Sequence, residues 1–185
     1  MFFRDIIGHS ELKHRLVEMV DSGRIPHAQL YTGAEGVGKL ALALAVAQYI
    51  CCEHREGGES CGRCPSCVQF AKLSHPDLHF VFPMATRDGV KVCADMIDTF
   101  RSAVLANPYI SLSEWMNEAS DGKSVQIYAA EGEEIIRKLT FKPYQGQYKV
   151  MIVWIPEKMH EACANKVLKI LEEPSPDTVF MLVSD

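Results

Sequence analysis

The stretch YTGAEGVGKLALA, residues 31–43, carries the residue types that cradle phosphate. Gly33, Gly38 and Lys39 stand at the spacing G-x-x-x-x-G-K-[ST], and Gly36 belongs to the same loop. In that pattern backbone N–H groups surround the anion and the lysine reaches its oxygens. The next residue should be Ser or Thr, whose hydroxyl holds Mg²⁺. Leu40 takes that place. Two readings stay open for Gly33, Gly36, Gly38 and Lys39. One is a vestigial phosphate site, because free N–H groups and the helix dipole favour anions at a helix N-terminus. The other is a turn whose glycines only shape the chain and whose lysine is solvated.

A second constellation lies just downstream, in CCEHREGGESCGRCPSCVQF. Eight residues separate Cys52 from Cys61, and Cys61, Cys64 and Cys67 follow at intervals of two. Two residues between cysteines let both sulfurs reach one ion across a tight turn. Four thiolates at ~2.3 Å complete a closed tetrahedral zinc site with no position for substrate. Gly57 and Gly58 allow the long arm to bend back. Cys51 competes with Cys52 for the first ligand position. Buried thiols, a redox pair or an iron–sulfur cluster would use the same residues. Cys93 and Cys163 are isolated and suit the interior as small apolar side chains.

The elements that position these groups follow from apolar spacing. Strands are expected over residues 28–32, 78–82, 125–128, 149–155 and 178–184. Helices are expected over 9–20, 38–50, 93–106, 131–139 and 157–172, the last ended by Pro174 and Pro176. Strands alternating with helices make an α/β fold, a parallel sheet with helices on both faces. The phosphate-type loop sits correctly between strand 28–32 and helix 38–50. Residues 84–124 read as an insertion of turns around two short helices. Its Tyr109, Ile110, Leu112 and Trp115 serve either packing or a partner surface.

Composition narrows the function classes. A chain of 185 residues, 48% hydrophobic, fits one domain with a real core. No apolar run approaches the ~18 residues of a membrane span. The start, MFFRDIIGHSELKHR, is charged at positions 4 and 5 and does not read as a signal peptide. A cytoplasmic location is therefore expected. The seven cysteines, five of them within residues 51–67, then point to metal in a reducing compartment rather than to disulfides. A net charge of −5 argues against gripping nucleic acid by a strong basic field, though not against a few local contacts. The closing TVFMLVSD reads as a strand entering a loop, so a cut at a domain boundary is expected.

Four segments together resemble a known family. FRDIIGHSELKHRL, GRIPHAQLYTGAEGVGK, the Cys-x8-Cys-x2-Cys-x2-Cys insert and NKVLKILEEPSPDTVFMLVSD match, in order, the bacterial clamp-loader subunits of the AAA+ class. The cysteine insert directly after the phosphate-loop helix is specific to the gamma/tau and delta-prime subunits. The resemblance implies an AAA+ P-loop NTPase-like parallel sheet flanked by helices. It implies a zinc module inserted at about 51–70 and a family-variable insertion at about 84–124, within a domain spanning residues 1–185. Collar and lid domains are expected beyond it.

The same resemblance separates two kinds of subunit. The gamma/tau type hydrolyses ATP and needs the hydroxyl after the loop lysine. It also needs an Asp-Glu pair at the end of a sheet strand, one to hold the metal and one to activate water. Counted back from Leu171, Glu172, Glu173 and Pro174, that pair falls on Trp154 and Ile155. Glu157 is near, but Pro156 should turn the chain first. A catalytically silent, delta-prime-type subunit of a DNA polymerase III clamp loader is implied, with structural zinc and without Mg·ATP. It would act in DNA replication, in a hetero-oligomeric ring with gamma/tau and delta subunits, and meet the sliding clamp and primed DNA through that complex. The family's Ser-Arg-Cys arginine motif does not occur in residues 1–185. Ile6, Ile7 and Gly8 would flank an adenine site, or simply pack. Two rivals remain. An active gamma/tau-type ATPase is opposed by Leu40, Trp154 and Ile155. A zinc-containing nucleic-acid-binding module is opposed by the net charge and the embedded cysteine cluster.

Overall fold

Four apolar runs pair into a parallel sheet in the computed structural model, which describes residues 1–87, 89–120 and 123–184. They are β1 (Ala28–Tyr31), β2 (Leu78–Val81), β3 (Lys149–Trp154) and β4 (Thr178–Val183), in the order β1-β4-β3-β2. All six residues of β3 are buried. A strand covered on both faces needs layers on both sides, which is why β3 reads as a continuous apolar run rather than an alternation. The register fixes what stands beside the phosphate-type loop. Tyr31 pairs with Val183, and Val183 pairs with Trp154, so the loop leaves the sheet in line with Trp154.

The helices are α1 (Ser10–Asp21), α2 (Lys39–Cys51), α3 (Pro65–Phe70), α4 (Ile97–Ala106), α5 (Leu112–Ser120), α6 (Glu131–Thr140) and α7 (Glu161–Glu172). Every residue of α2 is buried. It packs on β3 and β4 and against α1 and α3. Repeated Ala and Leu, good helix formers with small or flexible side chains, make that central position possible. Short 3₁₀ turns cover Phe3–Asp5, Cys93–Met96 and Pro156–Lys158. No helix among the described residues is long and apolar enough to cross a membrane.

An aromatic cluster ties the inserted segment to the sheet. Phe100 of α4 stacks on Phe82 at 4.0 Å and touches Phe80 just upstream. Trp115 of α5 is fully buried and meets Phe82, Phe100 and Trp154 edge-on. Its indole N–H donates to the Pro83 carbonyl at 2.6 Å, which satisfies the one polar group of the ring. Cys93 and Cys163 are buried, as expected of isolated apolar thiols.

Two expected elements are corrected. Residues 125–128 do not join the sheet. Gln126 bridges Met84 antiparallel, and Ile127 bridges Met159 in parallel, so this stretch divides its backbone bonds between chain segments beyond the ends of β2 and β3. The helix expected from residue 157 starts instead at Glu161. The Lys158 carbonyl accepts from the Ile127 N–H, the His160 N–H donates to the Ile127 carbonyl, and His160 Nδ1 then accepts from the Ala162 N–H to start the helix. The short helix α3 was not foreseen, although Pro65 stands at its first position, where proline is well tolerated.

The turn into β3 rests on one buried carboxylate. Asp77 accepts from the backbone N–H groups of Tyr144, Gln145 and Gly146 at 2.5, 2.8 and 2.9 Å. Burial opposes its charge, but these donors outweigh burial and hold the carboxyl below its ordinary range. Its contribution to stability is therefore present at neutral pH and is lost as pH falls below the usual carboxylate value of about 4. We expect Asp77→Ala to lose about 1–3 kcal/mol at pH 7, because buried donors are left unpaired. Urea titrations should find that difference shrinking toward pH 3.

Candidate phosphate loop and four-cysteine centre

The loop between β1 and α2 turns on glycines with positive φ, and its lysine turns inward. Gly36 and Gly38 adopt φ of 77° and 87°, the left-handed region that favours glycine. Lys39 Nζ donates to the loop's own carbonyls, Gly33 at 2.6 Å and Ala34 at 3.1 Å. His9 Nε2 lies 2.9 Å from the Val37 carbonyl and ties the loop to α1. Gly33, Gly36, Gly38 and Lys39 lie in one turn, and Lys39 is buried and bonded within it rather than solvated.

Leu40 and Trp154 meet in the same cleft. They line it with Glu35, Gly38, Tyr109 and Ile110, and only about 20 Å³ of space is left there. Small-molecule sites commonly use roughly 300–1,000 Å³. Ile155 turns away from the strand at φ 56°, ψ 60° and is not among the described residues lining the cleft. For a buried β-branched residue this conformation is an outlier costing about 1–3 kcal/mol. Its N–H donates to the Val183 carbonyl at 2.8 Å, which helps to hold it there. Glu157 is exposed in the following 3₁₀ turn, and its carboxylate accepts from Ser184 Oγ at 3.3 Å. A larger hollow of about 280 Å³ lies on the α1 side of the loop, lined mostly by apolar residues such as Leu12, Leu16, Leu30 and Val37.

At the other end of α2 the chain enters the cysteine cluster. One sulfur from each of Cys52, Cys61, Cys64 and Cys67 lies within 4.8 Å of the others. Tetrahedral ligation at ~2.3 Å would set neighbouring sulfurs ~3.8 Å apart, and Cys61 and Cys67 are 4.0 Å apart. The backbone N–H groups of Cys61, Cys64 and Cys67 donate to the sulfurs of Cys52, Cys61 and Cys64 at 3.3, 3.3 and 3.4 Å. Such donors orient thiolates around a cation. Burial pushes the Cys52 and Cys67 thiols up, whereas the Arg63 backbone N–H brings Cys61 down to about 6. The donor set and its spacing can hold a metal ion. Cys51 lies outside it, its thiol facing the Tyr148 carbonyl in the main core.

Sequence reasoning missed the residues that strap the chain start to this centre. Glu59 accepts from the Phe3 and Arg4 N–H groups at 3.1 and 2.7 Å. The Phe2 ring lies against Gly62, where an added Cβ would come within 3.0 Å. Gln48 joins the two sides, accepting from the Met1 amine at 2.8 Å and pointing its amide at Cys67 Sγ, 3.9 Å away. Beyond this strap Ile6 is buried in the core, and Ile7 is exposed with its N–H donating to the Tyr109 hydroxyl.

Comparison with known proteins places the chain. The DNA polymerase III delta′ subunit of Yersinia pestis is 31% identical over 174 residues, 91% of this chain and 38% of its own length. That of Bacillus subtilis is 28% identical over 181 residues, 95% of this chain and 43% of its own. The chain thus spans about two fifths of the length of these relatives. In fold it is similar to a DNA polymerase III, gamma subunit-related protein from Thermotoga maritima, with a TM-score of 0.51 and 14% identity over 93% of this chain and 38% of that one. The profile of the family described as DNA polymerase III, delta subunit matches residues 8–185, and the chain belongs to that family.

Proposed function

We propose that residues 1–185 form the AAA+ domain of a delta-prime-type clamp-loader subunit that does not hydrolyse ATP. It works in the cytoplasm as a fixed member of a hetero-oligomeric ring with gamma/tau and delta subunits, and helps place the sliding clamp on primed DNA. The observation that carries the reading is the meeting of Leu40 and Trp154 in the loop cleft. The residues matched to the metal-holding positions are apolar, and the residue matched to the water-activating position is Ile155. Loss of metal and base together removes both charge stabilisation and nucleophile activation.

The partner chemistry is consistent with this. The net charge of −5 suits contact with subunits better than a strong electrostatic grip on DNA. The full-length protein should hydrolyse Mg·ATP no faster than its Lys39→Ala variant. A turnover that falls when Lys39 is replaced would instead make this chain an active motor.

Cys52, Cys61, Cys64 and Cys67 are assigned as ligands of one structural Zn²⁺. With four protein sulfurs the ion has no open position, so its contribution is to stability. Elemental analysis of protein purified without chelator should give one zinc per chain. Cys61→Ser should lose it and melt earlier, and Cys51→Ser should retain it. Metal-free wild-type protein of unchanged stability would overturn the assignment.

A further inference from the structure

The cleft beside the phosphate-type loop is filled by the protein's own chain. Tyr109 lies over Gly38 so closely that a Cβ at residue 38 would come within 2.7 Å of the ring. The Tyr109 hydroxyl accepts from the Ile7 N–H at 3.2 Å. Pro108, Ile110, Ser111 and Leu112 line the remainder, together with Leu40 and Trp154. An aromatic ring bonded to the backbone at Ile7 and seated on the loop glycine uses the surfaces that a nucleotide would need.

The segment is built to stay there. Asn107 Oδ1 accepts from the Tyr109 N–H at 3.0 Å, and the Asn107 carbonyl accepts from Ile110 at 3.1 Å, closing a tight turn. Glu114 accepts from the Ser111 N–H at 2.7 Å and sets the start of α5. On either side, Phe100 and Trp115 hold α4 and α5 in the aromatic cluster against Phe80 of β2 and Trp154 of β3. The turn is thus held between two packed helices.

We propose that residues 107–112 are a built-in occupant of the cleft and that Tyr109 is the residue that excludes nucleotide from it. This rests on the reading of the subunit as nucleotide-silent and names its steric cause. It adds an obstacle independent of metal chemistry. Restoring the hydroxyl by Leu40→Thr should then not restore binding while Tyr109 is in place.

The test is calorimetry of the full-length protein with ATP and with inorganic triphosphate, each with and without Mg²⁺. Wild type and Leu40→Thr should bind neither. Tyr109→Ala should gain at least tenfold in affinity without needing Mg²⁺, and Tyr109→Ala with Leu40→Thr should gain a further Mg²⁺-dependent increment. A folded Tyr109→Ala protein that still binds nothing overturns the inference, and so does Leu40→Thr binding as tightly as the double variant. Tight Mg·ATP binding and turnover by the wild type would instead overturn the silent reading itself. Amide exchange keeps the proposal testable if Tyr109→Ala does not fold. The Ile7 side is 84% exposed, so its N–H should be protected only through Tyr109. Tyr109→Phe should speed exchange at Ile7 about tenfold or more. Exchange at Ile7 that is unprotected in the wild type, or unchanged in Tyr109→Phe, would show that the ring is not seated and would overturn the proposal.

Discussion

Complete burial of α2 is the constraint on which the rest of the molecule depends. A helix hidden on every side must be covered by several elements at once, and α2 is covered by β3, β4, α1, α3 and the first 3₁₀ turn. Its polar members are accommodated individually. Lys39 bonds to loop carbonyls at one end, and Gln48 joins the chain start to Cys67 near the other. A thirteen-residue helix is ~20 Å long, and both candidate sites hang from its two ends. The phosphate-type loop leads into its first turn, and Cys52 is the residue after its last. Any shift of this rod would disturb both.

The same burial explains how an apolar residue can sit where a nucleotide-binding protein has a hydroxyl. Leu40 lies in the first turn of α2, already facing the interior, and Trp154 ends a strand that is buried throughout. In an open site these side chains would cost hydration. Here both line a cleft closed by the inserted segment, and Trp154 packs on Phe100 and Trp115, so this end of the sheet becomes an extension of the core. The left-handed Ile155 belongs to the same arrangement. It redirects the chain at the end of β3, where a continuing strand would carry the 3₁₀ turn away from β4.

What could be read from the sequence was what is local. The cysteine cluster was legible because the four residues lie within a short span and their spacing alone limits the geometry. β3 and β4 were legible because strands covered on both faces are nearly unbroken apolar runs. Residues 125–128 have the composition of a strand, but their backbone partners are Met84 and segments after β3, and no periodicity encodes those. The same distant pairing delayed α7, since Lys158 and His160 were already engaged by Ile127. The seat of Tyr109 was hidden for a related reason. It lies between α4 and α5, which are placed by Trp115 reaching the Pro83 carbonyl and by rings from β2, β3 and both helices.

Gly38 acquires a different meaning from this packing. A glycine in such a loop is ordinarily read as a record of a ligand, kept bare so that phosphate can approach. Here the space above its Cα belongs to an aromatic ring of the same chain, and any side chain would collide with it. The ring and the positive φ of 87° each favour glycine at this position without any nucleotide. A consensus pattern can therefore persist as the imprint of an internal neighbour, and a match to it measures the shape of a turn rather than the presence of a substrate.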